Sequence, residues 1–416
     1  MTGRRVAWTA IAACSILPFV LAGQGGGWEA RADVVARVAK QQPGFNFEEA
    51  RVPPYELPDV LGSPPVASPA QWTARRREIL ELFRDNVYGR RPGPPSRIFF
   101  ETKEENPRAM DGAATLTRVA ILCEEAGGSA HHFELTLFLP AARQTPAPVF
   151  LLINNRPASN TDPTRKEKSG FWPAEQMIAR GYGIAAIQYG QLAPDDKDRF
   201  REGAISLFEG TTAGPRPPDA WAAIAAWGWG ASRVMDYFVT NPRVDASRVA
   251  LVGHSRGGKA SLWAGAEDER FALVISNESG EGGAALSRRD FGETIARINT
   301  TFPHWFADRY KAFNGRPGDL PVDQHMLLSL VAPRALYVAS ADEDLWADPR
   351  GEFLALAASS PVFGLWGDPA IRPGQMPALD TPLVAGRRAY HVRRGTHNLT
   401  PYDWDRFADF ADRLWP

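Results

Sequence analysis

Residues 248–259 read RVALVGHSRGGK, and this stretch decides the fold. The run VALV at 249–252 is short and apolar, as in a strand that is buried on both faces. Gly253, Ser255 and Gly257 then match the pattern G-x-S-x-G, and residues 258–265 have a helical pattern. A strand, a tight turn that carries a serine, and a helix together expose that serine above a sheet. We therefore predict that Ser255 is a nucleophile beside the amide groups of a helix N-terminus.

Apolar patterns along the chain predict a sheet that starts antiparallel and continues parallel. Residues 98–140 hold three β-type runs separated by acidic and glycine-rich turns. From residue 149 onward strands alternate with helices, which predicts parallel βαβ units. The predicted strands cover residues 98–102, 114–123, 133–139, 149–153, 183–188, 249–252, 272–276, 335–339 and 388–392. The predicted helices cover residues 69–87, 173–180, 220–240, 259–265, 352–358 and 404–414.

The first 32 residues are typical of a secretory signal peptide. Two arginines, at positions 4 and 5, precede an uncharged run over residues 6–23, and glycine-rich sequence follows. This pattern predicts export to the periplasm or the cell exterior, with cleavage after Ala22 or Ala32. A membrane anchor is the alternative, because the run is just long enough to span a bilayer. Polar, proline and tryptophan residues inside the run favour removal, after which no stable membrane association is expected.

The remaining chain is predicted to form one catalytic domain with a short N-terminal extension. Residues 33–95 are rich in proline, and residues 96–416 hold the whole strand–helix alternation. The net charge of −1 provides no electrostatic footprint for nucleic acid. Cys14 lies in the predicted signal peptide, which leaves Cys123 alone in the mature chain. A single cysteine excludes an intramolecular disulfide and a cysteine-rich zinc site.

A serine nucleophile needs a histidine base and an acid that orients the base. In the α/β-hydrolase fold the acid and then the histidine follow the serine along the chain. His397 lies between the last predicted strand and the C-terminal helix, where the base of such a fold is found. Asp342 and Asp344 follow the penultimate strand, the usual place for the acid, and Glu278 follows the strand before it. The sequence therefore predicts an α/β-hydrolase fold, a three-layer sandwich with a mostly parallel central sheet. The usual position of the acid in this fold favours Asp342 or Asp344.

Several short motifs resemble one family of esterases. Residues 253–259 (GHSRGGK), 277–280 (NESG) and 395–397 (GTH) are similar to the glucuronoyl esterases of carbohydrate esterase family fifteen, especially the bacterial branch. The resemblance extends over essentially all of the mature chain. Serine esterases in general do not follow the serine with Arg-x-Gly-Lys, so the combination is more specific than G-x-S-x-G alone.

The resemblance implies roles for residues around the serine. It places the triad acid at Glu278 first, with Asp344 as a second acid that shares or replaces this role. It also implies that the guanidinium of Arg256 faces the oxyanion, where a positive charge stabilises the tetrahedral intermediate. A cation is otherwise disfavoured at a helix N-terminus, which supports a functional reading of Arg256. The residues that the resemblance assigns to holding the glucuronate ring are Lys259, Glu293 and Trp346.

The predicted activity is hydrolysis of esters of glucuronic or 4-O-methylglucuronic acid, as in lignin–glucuronoxylan linkages. No metal and no organic cofactor is expected. An acetyl xylan esterase or a general carboxylesterase is the alternative, favoured if Lys259, Glu293 and Trp346 do not converge near Ser255. A catalytically silent carbohydrate-binding protein is a third reading, which the intact serine, histidine and acids oppose.

Overall fold

One ten-stranded sheet forms the centre of the computed structural model, which describes residues 27–210 and 214–416. The order of the strands across the sheet is 1-2-3-5-4-6-7-8-10-9. The strands are β1 (Arg97–Ala109), β2 (Ala114–Glu124), β3 (Ala130–Pro140), β4 (Ala147–Asn154), β5 (Gly183–Gln188), β6 (Val244–His254), β7 (Leu273–Asn277), β8 (Ala335–Ala341), β9 (Leu383–Ala385) and β10 (Arg388–Arg393).

The sheet changes from antiparallel to parallel pairing at β5. Strands β1, β2, β3 and β5 pair antiparallel in that order. Strands β5, β4, β6, β7, β8 and β10 pair parallel, and β9 adds a short antiparallel edge. Parallel strands end at the same edge of a sheet, so the loops that follow β6, β7, β8 and β10 lie together.

Helices cover both faces of the sheet. Along β4, Val149 and Leu151 face one apolar core, whereas Phe150 and Leu152 face the other. This alternation follows from the two-residue period of a strand, and both faces are apolar because both are covered. The helices are α1 (Ala32–Gln41), α2 (Pro69–Phe83), α3 (Ala174–Ala179), α4 (Tyr189–Leu192), α5 (Ala204–Glu209), α6 (Ala223–Phe238), α7 (Arg256–Glu267), α8 (Ile295–Thr301), α9 (Gln324–Ser329), α10 (Pro349–Ala358), α11 (Ser360–Gly364) and α12 (Pro401–Leu414).

The predicted three-layer sandwich is confirmed, with local differences. All nine predicted strands are present, and most extend further than predicted. The helix predicted over 69–87 is α-helical to Phe83, and a π-turn continues it over Arg84–Tyr88. Helix α1 and strand β9 were not predicted, because α1 lies beside the predicted cleavage point and β9 has only three residues.

The predicted apolar run at 6–23 lies outside the described residues. Within the ranges that are described, no helix combines the length and apolar character needed to cross a bilayer. The described chain begins just before Trp28, whose side chain is buried and whose amide donates to the Pro377 carbonyl at 3.1 Å. Trp28, four residues before α1, is therefore packed into the folded body.

Candidate active site

The turn between β6 and α7 holds Ser255 in a strained conformation. Ser255 has φ 56° and ψ −125°, and its amide donates to the Asn277 carbonyl at 2.9 Å. A non-glycine residue in such a region costs about 1–3 kcal/mol, so the surrounding packing must enforce it. A Cβ on Gly253 would lie 1.9 Å from the Gly257 carbonyl oxygen, which explains the first glycine of the motif. The turn therefore presents the Ser255 hydroxyl at the sheet edge.

We expect Gly253→Ala to prevent this turn from forming. The added methyl group overlaps backbone atoms, which cannot rotate away as a flexible side chain could. The variant should lose at least about 3 kcal/mol of stability, in the range reported for overpacked sites and strained backbones. Thermal melting followed by circular dichroism checks this. Gly127→Ala, at a glycine with open space around its Cβ position, serves as the control and should melt like the wild type.

His397 lies between two carboxylates that come from neighbouring strands. Its Nδ1 is 2.6 Å from Oδ2 of Asp344, which follows β8, and 3.3 Å from Oε2 of Glu278, which follows β7. Nδ1 thus carries the proton, and Nε2 is left as the basic nitrogen. Both predicted acids reach the predicted base, but the shorter contact is to Asp344.

Glu278 is already engaged by other groups. Its Oε1 accepts a hydrogen bond from Arg393 at 2.5 Å, and its Oε2 accepts one from the amide of Asn398 at 3.0 Å. Arg393 also donates to both carboxylate oxygens of Asp403, at 3.1 and 2.9 Å. The Glu278 side chain is fully buried. Glu278 therefore ties the histidine loop to β10 and α12, whereas Asp344 contacts the base itself more closely.

The two acids control the proton affinity of His397. Its partial burial alone would lower the pKa, but the charge and hydrogen bond of Asp344, joined by those of Glu278, raise it well above the ordinary value. His397 Nδ1 and Asp344 Oδ2 lie at hydrogen-bonding distance, and Glu278 is paired with Arg393. These contacts suit a hydrogen-bonded cluster rather than the ligands of a metal ion.

His254 forms part of this arrangement, which the sequence did not indicate. Its ring lies 4.4 Å from the ring of His397, measured between centroids. Its Nδ1 is 2.6 Å from the Asn277 side-chain oxygen, and its Nε2 is 3.3 Å from an Arg156 nitrogen. Complete burial lowers its pKa well below the ordinary value. His254 is thus a neutral ring that packs against the base.

The guanidinium of Arg256 is fixed by an acid and two aromatic rings. It forms an ion pair with Asp195, and its carbon lies 4.7 Å from the Trp305 ring centre and 5.5 Å from that of Phe302. Cation–π contacts of this kind add to the fixation. The first amide groups of α7 have no acceptor within the helix and are available to an oxyanion beside Ser255. Arg256 therefore brings both a backbone donor and a held cation next to the nucleophile.

The three residues assigned to the sugar are connected to one another, and the first of them, Lys259, follows Ser255 by one turn of α7. The buried Lys259 Nζ lies 4.0 Å from Oε2 of Glu293, and the amide of Glu293 donates to the Trp346 carbonyl at 3.0 Å. Lys259 also donates to the carbonyls of Ser279 and Glu281, so two of its three N–H groups are used by the loop after β7. The Lys259–Glu293 pair and Trp346 thus form one continuous wall that starts one helical turn after the nucleophile.

The N-terminal segment supports this wall. Trp346 packs edge-on against Phe45, with ring centres 5.0 Å apart, and against Phe47 at 6.3 Å. The Asn46 carbonyl accepts from the amide of Gly292, at 2.8 Å, just before Glu293. A cavity of about 1280 Å³ lies behind this segment, lined by residues that include Trp28, Phe47, Arg289 and Leu345. Ser255 and His397 do not line it.

Two further histidines and a tryptophan occupy supporting positions. His304 and Trp305 both contact Asp195, at 2.9 and 2.6 Å. His325 is buried, and its Nε2 lies 2.9 Å from the Pro58 carbonyl. Asp195 was not predicted, because it stands in the charged run DDKDR at 195–199, which has the composition of a solvated loop.

Comparison with known proteins decides the family. The family model described as "Glucuronyl esterase, fungi" matches residues 123–367. A carbohydrate esterase from an unknown prokaryotic organism is 41% identical and covers 92% of this chain and 94% of its own length. The chain belongs to the glucuronoyl esterase family. The family resemblance and the class of carboxylic ester hydrolase that the sequence predicted are thereby confirmed.

Solved glucuronoyl esterases share the whole fold. A glucuronoyl esterase from Solibacter usitatus has a TM-score of 0.82 and 42% identity, covering 88% of this chain and 100% of its own. A promiscuous esterase of carbohydrate esterase family fifteen from a marine bacterial metagenome has a TM-score of 0.77 and 39% identity, covering 89% and 99%. A 4-O-methyl-glucuronoyl methylesterase of Phanerochaete chrysosporium is 30% identical over 79% of this chain and 65% of its own length. The predicted fold and the similarity to bacterial members are confirmed.

Proposed function

We propose that this glucuronoyl esterase hydrolyses esters of glucuronic or 4-O-methylglucuronic acid through an acyl-enzyme on Ser255. The convergence of Lys259, Glu293 and Trp346 beside the nucleophile carries this proposal. A buried ammonium–carboxylate pair next to an indole offers donors and acceptors to the hydroxyl groups of a sugar ring. A fatty acyl chain would give no hydroxyl partner to the third N–H group of Lys259 or to the Glu293 carboxylate, and each buried group left unpaired costs about 1–3 kcal/mol.

We propose Ser255, His397 and Asp344 as the triad, because Asp344 contacts His397 more closely than Glu278 does, at 2.6 Å against 3.3 Å. In the acylation step His397 Nε2 takes the proton of the Ser255 hydroxyl while its oxygen attacks the ester carbonyl at C6 of the uronate. The tetrahedral oxyanion is stabilised by the amides of α7 and by the charge of Arg256. The bond from the carbonyl carbon to the alcohol oxygen then breaks, and the alcohol leaves with the proton from His397. Asp344 holds the resulting imidazolium in place.

Water completes the cycle. His397 takes a proton from a water molecule, whose oxygen attacks the acyl carbonyl and reforms a tetrahedral oxyanion. The bond between this carbon and the Ser255 oxygen breaks, and the serine recovers its proton from His397. The products are the free uronic acid and the regenerated enzyme. No step requires a metal or an organic cofactor.

A broader carboxylesterase activity is the second candidate. It is favoured by the relative described as a promiscuous esterase, which is 39% identical to this chain. The same triad would then act on acetate or aryl esters, and the wall formed by Lys259, Glu293 and Trp346 would contribute little to selectivity.

We further propose that the natural substrate is a lignin–carbohydrate ester of glucuronoxylan, met outside the cytoplasm. The predicted signal peptide supports export to the periplasm or the cell exterior. Cleavage after Ala22 fits better than cleavage after Ala32, because the buried Trp28 would be retained. Residues 33–95 then form an extension of the catalytic domain, with Phe45 and Phe47 packed against Trp346.

Product analysis tests the proposed reaction. Purified protein is incubated with methyl 4-O-methylglucuronate, and the products are separated by chromatography. We expect free 4-O-methylglucuronic acid and methanol in equal amounts. Release of acetate from acetylated xylan without any uronic acid would contradict the proposed substrate and retain only the esterase chemistry.

The pKa of His397 predicts the acidic limb of the pH profile. The base is active when neutral, so kcat/KM rises as pH increases through its pKa. Since Asp344 and Glu278 raise this pKa, the limb should lie above about 6.5, the value of an unperturbed histidine. In Asp344→Asn one negative charge is lost, and the limb should shift to lower pH. A shift to higher pH would contradict the assigned electrostatics.

Glu293→Gln tests the sugar contacts. The isosteric amide keeps the volume but removes the charge that faces Lys259, 4.0 Å away. We expect KM for benzyl glucuronate to rise about tenfold, which corresponds to the ~1.4 kcal/mol of one hydrogen bond with a charged partner. The ratio of kcat/KM for benzyl glucuronate to that for para-nitrophenyl acetate should fall equally. An unchanged ratio would remove Glu293 from substrate selection.

A further inference from the structure

The carboxylate of Asp195 gathers four hydrogen-bond donors beside the nucleophile helix. Its Oδ1 accepts from His304 Nε2 at 2.9 Å and from the Trp305 indole at 2.6 Å. Its Oδ2 accepts from the Tyr189 hydroxyl at 3.1 Å and from the guanidinium of Arg256. These donors come from α4, from the loop after α8 and from α7. Asp195 therefore links two separate segments, α4 and the loop after α8, to Arg256, the residue that follows Ser255.

Asp195 is ionised in this setting. Its side chain is only 12% exposed, and this burial alone would raise its pKa. The hydrogen bonds from His304 and Trp305 and the charge of Arg256 reverse the effect and hold the pKa at about 2. Asp195 is thus negatively charged at every pH where His397 acts as a base. Its charge partly neutralises the positive charge of Arg256.

The proposed reaction changes the charge of the group that faces Arg256. The bound ester is neutral at C6, the tetrahedral intermediate carries a negative oxygen, and the released uronate is a carboxylate. A lone cation would stabilise the intermediate, but it would also retain the anionic product. A cation that is paired with a fixed anion can still direct its remaining N–H donors at the oxyanion. The anion lowers the net positive charge, so the attraction for the carboxylate product is weaker.

On the basis of the proposed function, we infer that Asp195 is a positioning residue that holds the Arg256 guanidinium for the oxyanion and weakens binding of the acid product. The same contact thus serves two steps of the cycle. The hydrogen bonds of Asp195 go to Arg256, Tyr189, His304 and Trp305 and not to Ser255 or His397, so its effect on the reaction is exerted through Arg256. A purely structural role would lower stability and kcat but would leave the affinity for the product unchanged.

Inhibition by the product separates these roles. The inhibition constant of glucuronate is measured against benzyl glucuronate for the wild type and for Asp195→Asn. We expect kcat to fall about tenfold as Arg256 loses its fixed geometry, while the inhibition constant falls at least about fivefold because one opposing charge is gone. The matched control is Asp196→Asn, one residue further along at an exposed position, for which both quantities should stay near wild type. A reduced kcat with an unchanged inhibition constant would overturn the inference.

Two further variants keep the test decisive. Asp195→Glu retains the charge on a longer side chain, so kcat should fall while the inhibition constant stays near the wild-type value. Arg256→Met removes the cation, so glucuronate should bind more weakly than to the wild type. An inhibition constant that does not rise in Arg256→Met would overturn the inference, even if Asp195→Asn fails to fold.

The outcome is distinguishable from failure of the proposed function. A wild type that does not hydrolyse benzyl glucuronate contradicts the proposed substrate. The inference on Asp195 is then tested with para-nitrophenyl acetate as substrate and acetate ion as the anionic product, with the same expected change in Asp195→Asn. An inhibition constant for acetate equal in both proteins would contradict the role of Asp195 by itself.

Discussion

Ser255→Ala is expected to reduce kcat on benzyl glucuronate by at least about 10⁴-fold, because no other described group at the turn supplies a nucleophile. The same variant should lose all labelling by a serine-directed fluorophosphonate, which reacts only with an activated serine. Folding should be retained, since alanine is smaller and the hydroxyl has no role as a helix cap. Rates and in-gel fluorescence of the labelled protein give the two readouts.

Ser247→Ala is the matched control for this experiment. Ser247 lies on the same strand, β6, but it is exposed and bonded to Asp245 at 2.6 Å. Ser247→Ala should react with the fluorophosphonate and should hydrolyse benzyl glucuronate as the wild type does. Residual hydrolysis within tenfold of the wild type in Ser255→Ala would contradict the assignment of the nucleophile. A wild type that neither labels nor hydrolyses any ester would favour the silent carbohydrate-binding reading.

The second large effect distinguishes the two acids. In Asp344→Asn we expect kcat to fall about 10³- to 10⁴-fold, because an amide at this position favours the wrong tautomer of His397 and cannot stabilise the imidazolium. In Glu278→Gln the fall in kcat should be about tenfold, because the hydrogen bond of Asp344 to the base, 2.6 Å long, remains. Stopped-flow or steady-state kinetics on both variants measure the difference.

The loss of folding stability should be ranked in the opposite order, larger in Glu278→Gln than in Asp344→Asn. Glu278→Gln removes one of the two anions that pair with the buried Arg393, and because Asp403 remains, the loss should stay below the about 3–5 kcal/mol of a fully broken buried pair. Asp344→Asn should lose less, since its partner His397 is 38% exposed. Glu343→Gln, in the same loop but paired with Arg37 at the surface, controls for charge alone. A larger kinetic loss in Glu278→Gln than in Asp344→Asn would make Glu278 the orienting acid.

The positions of two predicted site residues in the fold could be derived from local sequence. Ser255 and His397 directly follow strands with strong apolar patterns, so their position at the sheet edge follows from local sequence. The choice between Glu278 and Asp344 does not, because both follow neighbouring parallel strands and reach the same histidine. What distinguishes them is Arg393, which lies 115 positions beyond Glu278 along the chain.

The missed features depend on contacts between distant segments. Asp195 and Asp196 are neighbours in the same charged run, yet only Asp195 is buried against Arg256 and Trp305. Phe45 lies in a proline-rich segment without clear periodicity. It supports the site through its contact with Trp346, which is about 300 residues away along the chain. Side-chain packing of this kind has no short-range pattern from which it could be predicted.

One comparison of rates tests most directly whether the wall formed by Lys259, Glu293 and Trp346 selects a uronate ester. The measurement is kcat/KM of the purified protein on benzyl glucuronate, beside para-nitrophenyl acetate and acetylated xylan under the same conditions. We expect a preference for the uronate of at least about 100-fold over the acetylated xylan, or roughly 2.7 kcal/mol of differential transition-state binding. Equal or faster hydrolysis of acetate esters, with little activity on the glucuronate, would contradict the claim.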